Sequence, residues 1–452
     1  MNIIIAGSGK VGTTLTQRLA SEGYTVTMID SDYKVLESIC EQCDVMGVHG
    51  NCASMPVLQQ AGIQDADLLI ASTNEDEVNL LCCTTAHGIN PNLHTIARIR
   101  NPEYTQQIHA LRNVFALSLS VNPELQAARE VERLLRFPGF LRRDTFAKGR
   151  TAIVELRVDE NSILRDLPLY QMNNAVKCRV LVCAVLRDGN AVTPGGNFVL
   201  KEGDRIFVTA PTNNLSILLK SLGIVTRKVR KVIICGGGRL SHYLAQKLCD
   251  SGISVTMIEH NYERCVHLAS LLPEVTVVHG DATDQDLLES QGLSDCDALV
   301  TMTGLDELNM IISLYGTGKG VPQVITKLGK AENRSISDAL SLGSVICPRE
   351  LCCDDIVRYV RAMEKHSGSA VSVHTIADGQ VEAIEFLADE NTRNCGKPLK
   401  EIKLRSDVLL VSITHESVAQ IPGGDSTFQK GDTIVVVTSG RGKLRQLNDI
   451  FA

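Results

Sequence analysis

Three glycines and one carboxylate near the N-terminus could together hold a dinucleotide. Gly7, Gly9 and Gly12 form a G-x-G-x-x-G pattern between an apolar and a helical stretch, and Asp30 ends the next apolar stretch about twenty residues on. Such glycines permit a tight turn, the approach of a pyrophosphate and close helix packing, while helix N–H groups favour the phosphates. An aspartate can accept from both ribose hydroxyls and would repel a 2′-phosphate. We therefore predict a site for NAD(H) rather than NADP.

The same pattern recurs in the second half of the chain. Gly236 and Gly238 follow Gly7 and Gly9 by 229 residues, and Glu259 follows Asp30 by the same offset. Ser241 replaces the third glycine, and its side chain can crowd the helix against the sheet without blocking the phosphate turn. Further landmarks recur at offsets of 228 to 230: His49-Gly50 with His279-Gly280, Asp76-Glu77-x-Asn79 with Asp306-Glu307-x-Asn309, and Pro194-Gly195-Gly196 with Pro422-Gly423-Gly424. The chain is therefore a tandem duplication.

Each copy changes character part-way along. Its first part alternates short apolar strands with amphipathic helices, which is typical of a parallel, doubly wound Rossmann-like α/β sheet. Its second part carries hairpin signals such as Asp188-Gly189, which favour a small α+β domain. Helical connectors are predicted at Glu124–Arg136, ending at Phe137-Pro138-Gly139, and at Asp354–Lys365. The predicted domains are residues 1–123, 144–228, 230–348 and 368–452.

Strands and helices are predicted within these domains from the apolar periodicity. In the first copy the strands are Asn2–Ala6, Thr25–Ile29, Leu68–Ala71, His94–Ala97, Thr151–Val158, Arg179–Val185 and Arg205–Thr209, and the helices are Lys10–Ser21, Tyr33–Cys43 and one near Glu75–His87. In the second small domain the strands are Val381–Leu387, Val408–Ile413 and Thr433–Val437.

Other polar residues follow the predicted strands at the edge where Rossmann sheets bind ligands. They are Asn51, Thr73-Asn74 and Arg98 in the first copy, matched by Asp281, Thr303-Gly304 and Lys327 in the second. Because a cation stands at the same place in both copies, we expect a phosphate contact from Arg98 and Lys327 rather than a solvated charge. Gly304 and Ser241 are departures that affect the second site alone.

The composition narrows the class of protein. A hydrophobic fraction of 44% and a charged fraction of 21% are those of an ordinary globular protein. The net charge of −7 argues against broad nucleic-acid binding. No apolar run approaches the roughly 18 residues of a membrane span, and the first residues lack a signal-peptide pattern. We expect a cytoplasmic protein whose 15 cysteines are reduced.

Two sequence patterns could indicate other chemistry. Cys40-x-x-Cys43 has no partner pair, and its counterparts Ala269 and Leu272 favour apolar packing over a metal or redox site. A Tyr-x-x-x-Lys pair, as in some dehydrogenases, occurs at Tyr243/Lys247 and at Tyr315/Lys319. The first pair lies in the helix directly after the second glycine loop, which is too early in the chain for that chemistry. Gly316 and Gly318 are expected to break the helix around the second pair. No catalytic or metal-binding residue is predicted, and an NAD-dependent dehydrogenase remains the alternative.

Several segments resemble the tandem regulator-of-potassium-conductance (RCK or KTN) family of Trk-type potassium uptake systems. They are GSGKVG, TVTMID, HGNCASMPVL, HGDATDQDLL, ARIRNPEY and PGGNFVLKEGDRIFV. The resemblance spans the chain. It implies a peripheral regulatory protein on the cytoplasmic face of the inner membrane, a homotetrameric ring beneath an integral-membrane potassium-translocating Trk subunit, and NAD(H), with ATP or ADP as further ligands.

The resemblance also implies which residues bind the nucleotide. In the first copy they are Gly7, Ser8, Gly9, Lys10, Val11, Gly12, Asp30, Asn51, Thr73, Asn74 and Arg98. In the second copy they are Gly236, Gly237, Gly238, Arg239, Leu240, Glu259, Asp281, Thr303 and Lys327.

Overall fold

The first copy opens with a six-stranded parallel sheet in the order β3-β2-β1-β4-β5-β6. The computed structural model describes residues 1–136, 140–223, 228–330, 333, 336, 340, 342–363, 370–439, 444 and 446–452. Ile3, Ile4 and Ile5 in the central strand are all buried, as expected for a sheet covered on both faces. The strands are β1 Asn2–Ala6, β2 Thr25–Asp30, β3 Met46–His49, β4 Leu68–Ala71, β5 His94–Arg98 and β6 Leu119–Val121, and the helices are α1 Lys10–Ser21, α2 Tyr33–Cys43, α3 Met55–Gln60, α4 Asp76–Ile89 and α5 Pro102–Leu111.

The second Rossmann-like domain repeats this sheet strand for strand, in the order β14-β13-β12-β15-β16-β17. Its strands are β12 Lys231–Cys235, β13 Ser254–Glu259, β14 Thr276–His279, β15 Ala298–Thr301, β16 Gln323–Lys327 and β17 Ser344–Ile346. Its helices are α9 Arg239–Asp250, α10 Tyr262–Leu271, α11 Gln285–Ser290 and α12 Asp306–Gly318.

Each copy continues into a small domain with a five-stranded antiparallel sheet. The order is β10-β9-β11-β8-β7 in the first copy and β21-β20-β22-β19-β18 in the second, so the two sheets have the same topology. The first contains β7 Arg142–Phe146, β8 Thr151–Arg157, β9 Leu181–Arg187, β10 Asn190–Val192 and β11 Arg205–Pro211, with α7 Met172–Ala175 and α8 Leu215–Ser221. The second contains β18 Ala370–Ile376, β19 Val381–Leu387, β20 Val408–His415, β21 Val418–Gln420 and β22 Thr433–Thr438.

The two connector helices are exchanged between the copies. Helix α6, Pro123–Arg136, leaves the first Rossmann-like domain and places Ala127 and Val131 in the hydrophobic core of the second. Helix α13, Pro348–Met363, leaves the second domain and places Ile356 in the core of the first. Each Rossmann-like core is therefore completed by a helix that belongs to the other half of the chain.

The two small sheets also share a core. Phe146 and Phe207 of the first small domain pack with Val411 and Val435 of the second in one buried cluster. Across this contact the hydroxyls of Thr151 and Ser412 lie 2.8 Å apart. The two copies thus meet through both their large and their small domains.

The predicted fold class is confirmed, and the differences lie in the details. The short strands β3 and β6, their counterparts, and the outer strands β7 and β18 were not predicted. Strand β9 begins at Leu181 rather than at Arg179, and the second connector begins at Pro348 rather than at Asp354. The predicted ends of the connectors, at Phe137-Pro138-Gly139 and at residues 364–365, lie outside the described residues. In the described part of the chain, no helix is long and apolar enough to cross a membrane.

Candidate functional site

The first glycine loop turns sharply between β1 and α1 and leaves its outer side open. Gly7 has a φ of +101°, and a Cβ there would lie 2.8 Å from the Thr73 backbone nitrogen. A Cβ on Gly12 would lie 1.9 Å from the Gly7 carbonyl oxygen, so a side chain would push α1 away from the loop. A Cβ on Gly9 would meet no atom within 4 Å. The backbone at the start of α1 can therefore be approached from outside.

Asp30 ends β2 beside this loop and is bonded to it. Its Oδ2 accepts from the Ser8 backbone N–H at 2.5 Å and from the Ser8 hydroxyl at 2.6 Å, while Oδ1 accepts from the Asp32 N–H at 2.8 Å. Burial opposes its ionisation, but these hydrogen bonds lower the pKa of Asp30 below its ordinary value. The carboxylate therefore stays charged at neutral pH and holds the loop in place.

The second loop repeats the turn with a different fit. Gly236 has a φ of +100°, and Oε2 of Glu259 accepts from the Gly237 N–H at 2.7 Å. The Glu259 carboxylate also accepts from the Asn261 N–H at 2.9 Å, and the residue is only 7% exposed. Ser241, at the place of Gly12, is fully buried, and its hydroxyl has no hydrogen-bond partner among the described residues. The longer acid thus performs the same structural task, while the serine leaves a polar atom unsatisfied.

The ends of β4 and β5 meet beside the first loop. Arg98 is only 7% exposed, and its Nη2 donates to the Thr73 carbonyl at 2.6 Å and more weakly to Asn74 Oδ1 at 3.5 Å. Its Nε has no partner. Burial, and then the nearby charge of Arg100, lower the pKa of Arg98. The guanidinium is thus a buried cation that supports the Thr73 turn at this edge.

Lys327 does the same in the second copy. Its Nζ donates to the Thr303 carbonyl at 2.6 Å, and burial lowers its pKa. Two residues that sequence reasoning did not assign to the site hold these turns. Asn79 Oδ1 accepts from the Thr73 N–H at 2.8 Å, and Asn309 Oδ1 accepts from the Thr303 N–H at 2.8 Å. Their repeat in the Asp-Glu-x-Asn motif was the signal that could have identified them.

The remaining predicted residues lie either in the glycine loops or directly after β3 and β14. Lys10 and Arg239 are exposed beside their loops, whereas Val11 and Leu240 bury their side chains in the hydrophobic cores and offer only backbone. Exposed Asn51 and Asp281 follow β3 and β14, at the same sheet edge as the glycine loops, and cap their own turns. Their Oδ1 atoms accept from the N–H groups of Ala53 and Thr283, both at 2.9 Å.

An exposed aromatic pair flanks the acid in each copy. Tyr33 and His49 contact edge to face with ring centroids 5.8 Å apart, and Tyr262 and His279 do so at 5.5 Å. The tyrosines are 57% and 65% exposed. Because His49 pairs with Asp30 in the β2–β3 register, the aromatic pair lies next to the acid, on its far side from the glycine loop.

The two loop regions are electrostatic neighbours across the interface between the Rossmann-like domains. Lys10 of the first loop adds to the lowering of the Lys327 pKa that burial causes, and Glu124 opposes it. Glu124 also pairs with Arg100 at 2.6 Å, and the Tyr243 hydroxyl from the second copy donates to the Arg100 carbonyl at 3.1 Å. The first loop therefore lies close to the Lys327 edge of the second copy.

The two Tyr-Lys pairs have other partners in the structure. Tyr243 is buried, where Asn122 donates to its hydroxyl at 3.0 Å. The prediction that glycines break the helix at Tyr315 is wrong, because α12 continues through Gly316 to Gly318. Lys319 lies 5.2 Å from the Tyr315 ring centroid and pairs with Glu289 at 2.8 Å. Since α12 starts at the loop edge of the sheet, this pair at its end lies on the opposite side.

Cysteines behave as small apolar side chains. Cys82, Cys83 and Cys183 are fully buried, and burial raises the pKa of Cys83 and of Cys183 to about 12. Cys40 and Cys43 are half-buried and pack against the first Rossmann-like core. Within the described residues no cluster of His, Cys, Asp or Glu could hold a metal ion.

Family models match four segments of the chain. The TrkA-N domain matches residues 3–117 and 232–348, and the TrkA-C domain matches residues 153–223 and 383–452. These are the Rossmann-like and small domains in their tandem order. The chain belongs to the TrkA family.

Full-length TrkA relatives agree with this assignment. A Trk system potassium uptake protein TrkA homolog from Archaeoglobus fulgidus is 31% identical, with all of both chains covered. The Trk system potassium uptake protein TrkA of Halomonas elongata is 29% identical over all of this chain and 98% of its own. Among solved structures, the GsuK channel covers 97% of this chain and 76% of its own at 17% identity with a TM-score of 0.63, which shows a shared fold.

Proposed function

We propose that this TrkA-family chain is a peripheral regulatory subunit of a Trk-type potassium uptake system, and not an enzyme. In this proposal it binds NAD(H), and ATP or ADP, and thereby gates an integral-membrane potassium-translocating subunit from the cytoplasmic face of the inner membrane. The observation that carries the proposal is the loop–acid pair, which the chain builds twice with the same turn and the same hydrogen bond. The four domains are assigned to residues 1–123, 144–228, 230–348 and 368–452.

The proposed binding mode follows from the order of features along the sheet edge. Phosphates lie over Gly7 to Gly12, with Lys10 alongside, the ribose meets Asp30, and the adenine lies against Tyr33 and His49 beside Asn51. The second half of a dinucleotide extends towards Thr73, Asn74 and Arg98. The second copy offers the same order: Gly236, Gly237, Gly238, Arg239 and Leu240, then Glu259, Tyr262, His279 and Asp281, with Thr303 and Lys327 on the other side.

Related solved structures support nucleotides as the ligand class. One GsuK channel structure, with a TM-score of 0.62, is bound to NAD, and another, with a TM-score of 0.51, is bound to ADP. The acids at Asp30 and Glu259 suit the free ribose hydroxyls of both ligands.

Exposed apolar residues support assembly into a homo-oligomer, for which we propose a tetramer. Leu81 on α4 is 56% exposed, and Ile311, at the same place on α12, is 58% exposed. Leu314 on α12 and Leu305, the residue before this helix, are also exposed. Exposed large apolar side chains at the same place in both copies suit a ring in which each copy meets a neighbouring chain.

Several sites in one ring supply enough free energy for gating. A ligand shifts a conformational equilibrium only through its different affinities for the two states. Coupling of about 1–3 kcal/mol per site is typical, while moving a gate from mostly closed to mostly open takes about 5.5 kcal/mol. Two to six sites acting together reach that value, and a tetramer of two-site chains has eight.

The decisive experiment is a titration of NADH and ATP into the full chain, comparing wild type with Asp30→Ala and Glu259→Ala. Each variant is expected to lose one site per chain, because the substitution removes both the ribose acceptor and the anchor of the loop. Glu41→Ala, an exposed carboxylate on α2, is the control and is expected to bind normally. Absence of binding by the wild type, or steady NADH oxidation with a metabolite, would overturn the proposal in favour of a dehydrogenase.

A further inference from the structure

A cleft separates the second glycine loop from the first copy. It lies between α9 and α10 on one side and the start of α5 on the other, with a volume of about 440 Å³. That volume is within the range of small-ligand sites. Its lining includes three leucines, Leu268, Leu271 and Leu272.

Positive charge dominates the polar lining of this cleft. Arg239, His242, Arg264 and His267 face a single carboxylate, that of Glu103. Within the described part of the chain neither arginine forms an ion pair with a carboxylate. Burial, and then the charges of Arg264 and His267, lower the pKa of His242, which favours the neutral form of its imidazole.

Arg264 connects the cleft to the second nucleotide loop. Its Nε donates to the Gly237 carbonyl at 2.7 Å, which fixes the guanidinium beside the loop. An anion held by Arg264 would touch the second Rossmann-like domain on one wall and the start of α5 on the other. Such a ligand would bridge the two copies.

The first copy provides an internal control for this charge. At the positions that correspond to His242, Arg264 and His267 it carries the neutral residues Thr13, Val35 and Ser38. Only Arg239 has a cationic counterpart, Lys10. The basic groove is therefore not required by the fold, since the same fold exists without it.

We propose that this cleft is a separate effector site that binds a small multivalent anion bearing phosphate groups. Arginine suits this ligand because its planar fork donates two hydrogen bonds to phosphate oxygens, and the three leucines suit an organic remainder. The ligand is an independent metabolite, distinct from a nucleotide held at the second loop.

The test is calorimetry of the full-length chain with inorganic pyrophosphate. Wild type is expected to bind saturably, and the double variant Arg264→Gln/His267→Gln to bind at least about tenfold more weakly. Lys34→Gln, which removes an exposed cation from α2 of the first copy, should leave binding unchanged. Thermal unfolding by circular dichroism checks that the variants fold, and the single variant Arg239→Gln serves if the double variant does not. Equal affinity in wild type and variant, or no saturable binding, would overturn the site.

A competition experiment identifies the source of the phosphates. In an Asp30→Ala background, displacement of pyrophosphate by ATP that disappears on adding Glu259→Ala would overturn the separate site, because the cleft would then hold the phosphate chain of the nucleotide. Simultaneous binding of ATP and pyrophosphate would support an independent anion site.

Discussion

The two copies keep the same sheet and the same loop–acid bond, yet they differ at the residues around them. Gly12 of the first copy, where a side chain would strike the Gly7 carbonyl, is replaced by buried Ser241, and neighbouring Ser72 is replaced by Met302. Three of the four basic residues of the cleft beside the second loop are matched by neutral residues in the first copy. The residues that both copies share are those that the turn and the loop–acid hydrogen bond require. The residues that differ are not required by the turn, so each copy can suit a different ligand.

The largest expected effect concerns the exchanged connectors. Ile356 follows the second Rossmann-like domain in sequence but is fully buried in the core of the first. Ile356→Ala is therefore expected to destabilise the first domain by about 2–5 kcal/mol, through lost burial and a cavity. Hydrogen exchange of the β1 and β12 peptides measures this, with faster exchange expected in β1.

The reciprocal variant is the control for this prediction. Leu134 on α6 is buried in the core of the second domain, so Leu134→Ala should instead speed exchange in β12. If Ile356→Ala instead sped exchange in β12, and Leu134→Ala sped it in β1, the exchange of connectors would be contradicted.

The third loop position separates the two nucleotide sites more subtly. Gly12→Ser forces a side chain against the Gly7 carbonyl, and such overpacking costs about 1–3 kcal/mol. We expect the first site to lose about fivefold or more in nucleotide affinity, since 1.4 kcal/mol corresponds to a factor of ten. Ser241→Gly removes an unpaired buried hydroxyl while adding a glycine to α9, so its stability should change by less than about 1 kcal/mol. If Gly12→Ser and Ser241→Gly both left nucleotide affinity and stability unchanged, the two loops would be interchangeable.

The smallest effect is expected at the exposed aromatic pairs, which should contribute equally in both copies. Tyr33→Ala removes the proposed adenine wall of the first site, and Tyr262→Ala that of the second. Base stacking on an aromatic ring contributes about 1–3 kcal/mol, so ADP-ribose affinity should fall by about fivefold or more. Titration with nicotinamide mononucleotide, which lacks adenine, should show no change, and Tyr33→Phe should bind as wild type. A fall with the mononucleotide as well would instead indicate a disturbed loop.

The central strands of both Rossmann-like sheets could be predicted from the sequence, because they are apolar runs and the landmarks of the first copy repeat in the second. The sequence was not sufficient for β7, Arg142–Phe146, because three of its five residues are charged and show no apolar pattern. This strand is fixed by pairing with β8. The exchange of α6 and α13 was also missed. An amphipathic helix shows which face it buries, but not which domain it buries that face against.

The glycines and acids of the site could be located from sequence because a turn and a strand end constrain them locally. The inward orientation of Arg98 could not be, because it depends on the Thr73 carbonyl twenty-five residues away. The support from Asn79 and Asn309 was visible only as a repeated motif. The nucleotide contacts themselves stay predictions until the titrations are done.

The exchanged connectors also govern how the protein can be made. The ribosome releases the first Rossmann-like domain long before residues 348–363, so the face of α1 that later packs on α13 has no partner during synthesis. The nascent first half therefore presents apolar surface to the cell until the second half arrives. A premature stop between the copies would leave that surface permanently uncovered, and the product would be a substrate for chaperones and proteases rather than a functional half-molecule.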